Sequence, residues 1–266
     1  MLSIYEAGAG VTRRTFIAAS GIAGLPRAAA AAPNNMYIQL QYVMLRNGTQ
    51  PERANQFYPH HFLPAAERSG AAVVGLFNAV IAPESPFFLV VQAFPSFEAI
   101  EAARAKLIAD QEFQKAADQY FAGPETAFVR VESRVLKCFD GFPTVKPPSG
   151  GADRPARIFE LRTYESNDFH TLRRKVKMFN DGEGGIFQRL GMSPVFFGET
   201  IIGRNQPSLT YMLSFENLAA REQLWAKFGA DPEWKKLRAT PGLADAEIVS
   251  NISNSILRPA ANSQIR

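Results

Sequence analysis

Two stretches of this chain, ADQEFQK at residues 109–115 and ADPEWKK at 230–236, nearly repeat one another 121 residues apart. The same shift, without a gap, sets Leu40 against Leu161, Gly70 against Gly191, Pro86 against Pro207, Phe94 against Phe215 and Lys106 against Lys227. Chance identities scatter. They do not readily put glycine, proline and a heptapeptide on one diagonal, so the spacing predicts a tandem duplication.

Each copy shows one order of elements. Alternating apolar runs predict strands at 36–45 and 157–164, 71–81 and 193–202, 87–94 and 208–215, and 127–138 and 246–257. A helical stretch follows the first strand. In the second copy Phe169, Leu172, Val176 and Phe179 recur at helical spacing. Ser96 and Asn217 suit the N-caps of helices over 97–108 and 218–228. Asp231-Pro232-Glu233 reads as N-cap, first position and acidic first turn of a further short helix, pinned to the core by Trp234 as Phe113 would pin its counterpart. DGEGG (181–185) reads as a flexible lip.

The order β-α-β-β-α-β is ferredoxin-like. The expected class is therefore α+β, with two tandem ferredoxin-like domains at 36–139 and 156–260. The segment DGFPTVKPPSGGADRP, 140–155, is too rich in proline and glycine for either regular element and reads as a linker. The helix-free face of each sheet must be covered. The expectation is an architecture of the dimeric α/β-barrel type, closed within one chain or by a homodimer.

With 46% hydrophobic and 20% charged residues, the chain carries enough apolar material for a core. A net charge of +4, without a clustered Lys/Arg face, argues against nucleic acid as a partner. The lone cysteine, Cys138, excludes an intramolecular disulfide and, in VLKCF, reads as a buried structural thiol. Residues 1–32 hold Arg13 and Arg14 in TRRTFI, an apolar run from Phe16 to Leu25, then alanines. That order resembles a twin-arginine export signal, with a periplasmic bacterial protein as the expectation and no membrane association once the signal is removed.

FELRTY (159–164), GIFQRLG (185–191) and YMLSFENLAAREQLWAKFGADPEW (211–234) strongly resemble the NIPSNAP family of the dimeric α/β-barrel group. The first copy is more divergent, with QLQY at 39–42 in place of the ELRTY pattern. The resemblance implies the barrel fold. It transfers no catalytic residue, because the family has no agreed chemistry.

Candidate site residues come from strand alternation. Phe159 and Leu161 are expected under the helices, with Glu160, Arg162 and Tyr164 pointing into the barrel beside Gln39 and Gln41 of the first copy. These five would bind a small ligand, or Glu160 and Arg162 would simply pair. His60 and His61 in FYPHHF are the candidate catalytic bases. His170 reads as a helix-surface residue, RRKVK (173–177) as a solvated helix face, and Trp225 and Trp234 as core. No phosphate-binding, dinucleotide-binding, serine-hydrolase or metal-binding string is present, so no cofactor and no metal are expected. The sequence thus predicts an exported barrel protein that binds a small organic ligand or serves as an accessory protein. The alternative is a cofactor-independent monooxygenase or isomerase using a histidine with Arg162 and Tyr164.

Overall fold

The computed structural model describes residues 35–149 and 156–266. The twin-arginine-like segment at 1–32, with the periplasmic assignment that rests on it, lies outside them.

The first half runs β1 (Tyr37–Met44), α1 (Thr49–Phe57), a π-helical turn (Tyr58–Phe62), α2 (Leu63–Ser69), β2 (Val73–Ile81), β3 (Phe87–Phe94), α3 (Phe97–Ala109), α4 (Gln111–Phe121) and β4 (Arg130–Cys138). The second runs β5 (Ile158–Glu165), α5 (Phe169–Met178), a π-helical turn (Phe179–Glu183), α6 (Gly184–Arg189), β6 (Ser193–Ile202), β7 (Ser208–Phe215), α7 (Leu218–Ala230), α8 (Pro232–Arg238), α9 (Asp245–Ile248) and β8 (Asn251–Pro259). The two β3- and β7-preceding turns carry cis prolines, Pro86 and Pro207.

The repeated heptapeptides form the same lock twice. Asp110 accepts from the Phe113 amide at the start of α4 and pairs with Arg68 at 2.7 Å. Asp231 accepts from the Trp234 amide at the start of α8 and pairs with Arg189 at 3.0 Å. One aspartate thus satisfies an orphan helix donor and ties the helix start to an earlier helix, α4 to α2 in the first half and α8 to α6 in the second.

The expectation of two tandem ferredoxin-like domains requires correction. The described residues form one compact unit, and all eight strands belong to one closed barrel in the order β1-β3-β2-β8-β5-β7-β6-β4. β2 pairs with β8 and β4 with β6, all antiparallel. The physical reason is edge satisfaction. A four-stranded sheet in either half would expose two unpaired edges, and joining them removes all four. One chain closes the barrel, so closure needs no second copy. Nor is 140–155 wholly a linker between bodies: the Lys146 amide donates to the Val195 carbonyl at 2.8 Å, and Val145 is buried in the barrel core.

Three apolar clusters result. The barrel interior holds Ile38 and Leu40 with Phe77, Leu136, Phe159 and Met212. The other two lie between the sheet and the helices of each half. One barrel end is sealed by Val145 and Ile265. A Cβ at Gly75 would stand 2.9 Å from Ile265 Cδ1, so glycine makes room for this plug. Cys138 lies in the same interior, where burial pushes its thiol up to about 12, as an inert core residue requires. Among the described residues, no helix is long and apolar enough to cross a membrane.

Candidate functional site

At the opposite end the interior changes character. Strand alternation sends Thr163, Glu165, Ser253, Ser255, Glu132 and Arg134 inward, and with Tyr42 they line a cavity of about 160 Å³. Thr163 and Thr210 share a hydrogen bond of 2.9 Å across neighbouring strands, and Ser208 donates to Thr200 at 3.0 Å. These hydroxyls form a polar belt above the apolar core.

The rim is an ion-pair ring. Arg130 bridges Glu84 and Glu132 at 2.8 and 2.5 Å, while Arg204 reaches the same two carboxylates at 3.4 and 2.5 Å. Burial raises Glu132, but its bonds to Arg204 and Arg130 win and hold it below the usual carboxylate range. Glu165 accepts from Asn205 at 2.6 Å and Asn251 at 2.9 Å.

Arg134 is different. Its guanidinium lies 5.0 Å over the Tyr42 ring, and Nη1 reaches Thr163 Oγ1 only at 3.5 Å. Its Nε is enclosed without a partner. Among the described residues no carboxylate comes within the 4 Å of an ion pair. Gly203, at φ +141°, lets the β6–β7 turn sit on the arginine stem, since a Cβ there would stand 2.9 Å from Arg134 Cγ. Burial raises the Tyr42 phenol above its usual range, so it is a hydrogen-bond donor at neutral pH.

The residues singled out from sequence lie elsewhere. Glu160, Arg162 and Tyr164 do not point into the barrel. Phe159 and Leu161 do, and the polar three face the helices. Gln39 and Gln41 likewise alternate with the inward Ile38 and Leu40 and face the helix layer. The reversal has a clear cause: α7 brings Arg221 and Trp225 over β5. Glu160, fully buried, accepts from Arg162 Nη1 at 2.9 Å, Arg221 at 2.9 and 2.6 Å, Trp225 Nε1 at 2.7 Å and Asn254 at 2.9 Å. Burial works against its charge, yet these donors outweigh it and hold Glu160 below the usual carboxylate range. Of the two readings, pairing is therefore what the geometry displays, and the partners extend beyond Arg162.

The network continues inward. Arg162 Nη2 donates to the Tyr164 hydroxyl at 3.3 Å, which also accepts from Tyr211 at 3.0 Å. Beyond it Lys175, with no exposed surface, meets Glu183 at 3.1 Å and Asp245 at 3.2 Å, boxed by the rings of Tyr164, Phe179 and Trp234. Burial opposes the ammonium, and the two carboxylates overcome it, keeping its pKa above the ordinary value. The DGEGG segment is thus a π-helical turn that buries Glu183, not a flexible lip.

His60 and His61 are exposed on the first π-helical turn. His61 lines an open groove of about 300 Å³ with Arg53, Gln56, Phe57 and Tyr120, which contains none of Glu160, Arg162 or Tyr164. The histidine–Arg162–Tyr164 constellation is not assembled. His170 is exposed and bonds Arg173. Among the described residues no cluster of three or more His, Cys, Asp or Glu side chains could hold a metal.

The barrel-mouth residues had a signal in the sequence. RVESR (130–134) and NISNS (251–255) both place polar side chains at every second position, the mark of a strand with one wet face.

Comparison with known proteins agrees with this fold. The NIPSNAP family model matches residues 159–264. A candidate monooxygenase from Fusobacterium nucleatum superposes with TM-score 0.56 at 9% identity, covering 85% of this chain and 93% of its own. One from Lactobacillus acidophilus gives 0.51 at 14%, covering 86% and 97%. An anthrone oxidase-like protein gives 0.50 at 11%, covering 85% and 91%. No curated protein sequence matches. At these identities the shared feature is the α/β barrel alone.

Proposed function

We propose that this protein binds a small organic molecule in the polar end of its barrel, as an exported binding or accessory protein. The observation that carries the reading is the cavity itself: about 160 Å³ of space at one barrel mouth, beside Arg134, which has no counter-ion among the described residues. Sites of this kind, concave with an apolar wall and a few convergent polar groups, are where small ligands bind. The export component rests on Arg13, Arg14 and the apolar run behind them. The recurrence of β1, β3 and β4 as β5, β7 and β8 at one interval of 121 residues supports descent of the two halves from a duplicated unit. The NIPSNAP match over 159–264 supports the barrel and names no substrate.

Native mass spectrometry of protein purified from its own host, with a thermal-shift screen of small organic compounds, tests the reading. Ser255→Leu fills the cavity without touching the rim pairs. Binding that vanishes in Ser255→Leu supports the assignment; hits that persist unchanged in that variant place the ligand elsewhere and overturn it.

A further inference from the structure

Resting on that reading, we propose that the barrel mouth is a site for a monoanionic single-ring compound, an aromatic carboxylate, with Arg134 as the carboxylate anchor. A cavity of about 150 Å³ suffices for one benzene ring, and this one is about 160 Å³.

The wall then selects a planar apolar body. Tyr42 and Phe87 meet edge to face, with centroids 5.3 Å apart and planes at 65°, and Met44 and Leu161 flank them. A flat ring continues that arrangement with favourable edge and face contacts.

Charge accounting selects the anion. The guanidinium groups of Arg130 and Arg204 are engaged by Glu84 and Glu132. Glu165 is held by two asparagine amides. Of these three mouth arginines, Arg134 is the one without a carboxylate partner among the described residues. Its Nε has no partner, Nη2 forms no hydrogen bond among the described residues and keeps some exposed surface, and the side chain lines the cavity. A guanidinium offers a planar fork that a carboxylate matches with two parallel bonds. Partial burial of an uncompensated cation is costly, and a bound monoanion relieves that cost. Tyr42, Thr163, Ser253 and Ser255 add further hydroxyl groups to the cavity lining. A dianion such as a phosphate monoester is disfavoured, because Glu84, Glu132 and Glu165 surround the same opening.

Titration calorimetry on the full chain, with benzoate, benzamide, cyclohexanecarboxylate and phenyl phosphate as probes, tests the class. Benzoate is expected to bind at least about tenfold more tightly than neutral benzamide and than the dianionic phenyl phosphate, the factor one charge-assisted hydrogen bond supplies. Arg134→Gln is expected to erase the preference for benzoate over benzamide, and Arg134→Lys, which keeps charge but loses the fork, to retain part of it. Ser255→Leu is expected to abolish binding of every ring compound. If no probe binds, this proposal fails; the binding reading fails with it only if native mass spectrometry and the compound screen also find no ligand that Ser255→Leu removes. If benzamide equals benzoate on the unaltered protein, the anion assignment fails while the cavity stands. That comparison needs no variant, so a misfolded Arg134→Gln cannot rescue the idea. Equal binding of cyclohexanecarboxylate overturns the aromatic part, and equal or tighter phenyl phosphate overturns the monoanion part.

Discussion

Ala54 and Lys175 stand 121 residues apart on α1 and α5, and Phe62 and Glu183 close the two π-helical turns. All four are buried. Among the described residues the first half buries no charged side chain in its sheet–helix layer, which is mostly aromatic and aliphatic. Phe57 stacks on Tyr120 at 4.3 Å and Tyr58 on Phe88 at 5.0 Å. The second half places a lysine, glutamates and arginines at matching depth. Gln39 becomes Glu160, Gln41 becomes Arg162, Val43 becomes Tyr164 and Val90 becomes Tyr211. The backbone plan therefore does not set the polarity of the layer. A buried charge is tolerated when all its partners arrive together: Arg221 and Trp225 stand where the first half has Ile100 and Arg104, and Asp245 where it has Pro124.

The sharpest break of this comparison is to remove one charge. Lys175→Met leaves Glu183 buried without its partner and is expected to cost about 3–5 kcal/mol in chemical denaturation. Adding Glu183→Leu converts the site towards the apolar solution of the first half. The double variant is expected to recover to within about 1 kcal/mol of the parent. A double variant no more stable than the single one would show that the pair itself, not its completeness, holds the layer.

Glu160→Gln imports the residue of the first half into the second. It removes the charge that Arg162 and Arg221 share, at an expected cost of about 2–3 kcal/mol. The same substitution tests the acid limb. Because the folded carboxylate titrates below its ordinary value of 4.5, its contribution is complete above that pH and is lost as pH falls further. Glu160→Gln should flatten the fall in stability below about pH 4.5; an unchanged acid limb would remove Glu160 as its source.

The reverse exchange, Gln39→Glu, puts a carboxylate where Ile100 and Arg104 replace the Arg221–Trp225 pair. The expected loss is about 1–2 kcal/mol at pH 7, shrinking near pH 4 as the new group takes up a proton. A pH-independent loss would point to shape rather than charge. Smallest of all, Lys177→Ala breaks an exposed pair with Asp181 on the same helix face. Its unfolding midpoint should not move measurably, since solvent already screens that contact. A clear shift would mean that charge alone, regardless of burial, distinguishes the halves.

Much of the fold was legible because its signals are local. Apolar alternation marked the strands, Ser96, Asn217 and Asp231 marked helix starts, and the interval of 121 marked the recurrence. The barrel-mouth cavity was less legible. Its residues come from β1, β3, β4, β5, β8 and two hairpin turns, and only the alternating polar strings of β4 and β8 hinted at it. The turn at 179–183 misled for a related reason: its glycines suggest freedom, while the Lys175–Glu183 contact that anchors it is tertiary.

By itself the sequence determined which residues share a strand face, since successive side chains must alternate. It did not determine which face is inside. FELRTY carries apolar residues on one face and mixed ones on the other, and the helix layer accepts either kind. Tertiary structure decided the matter by delivering Arg221, Trp225 and Asn254 to Glu160 from far along the chain. It also decided closure, because unpaired edges are satisfied only when β2 finds β8 and β4 finds β6. A buried carboxylate goes where its donors are, and those donors are set by the fold, not by neighbours in sequence.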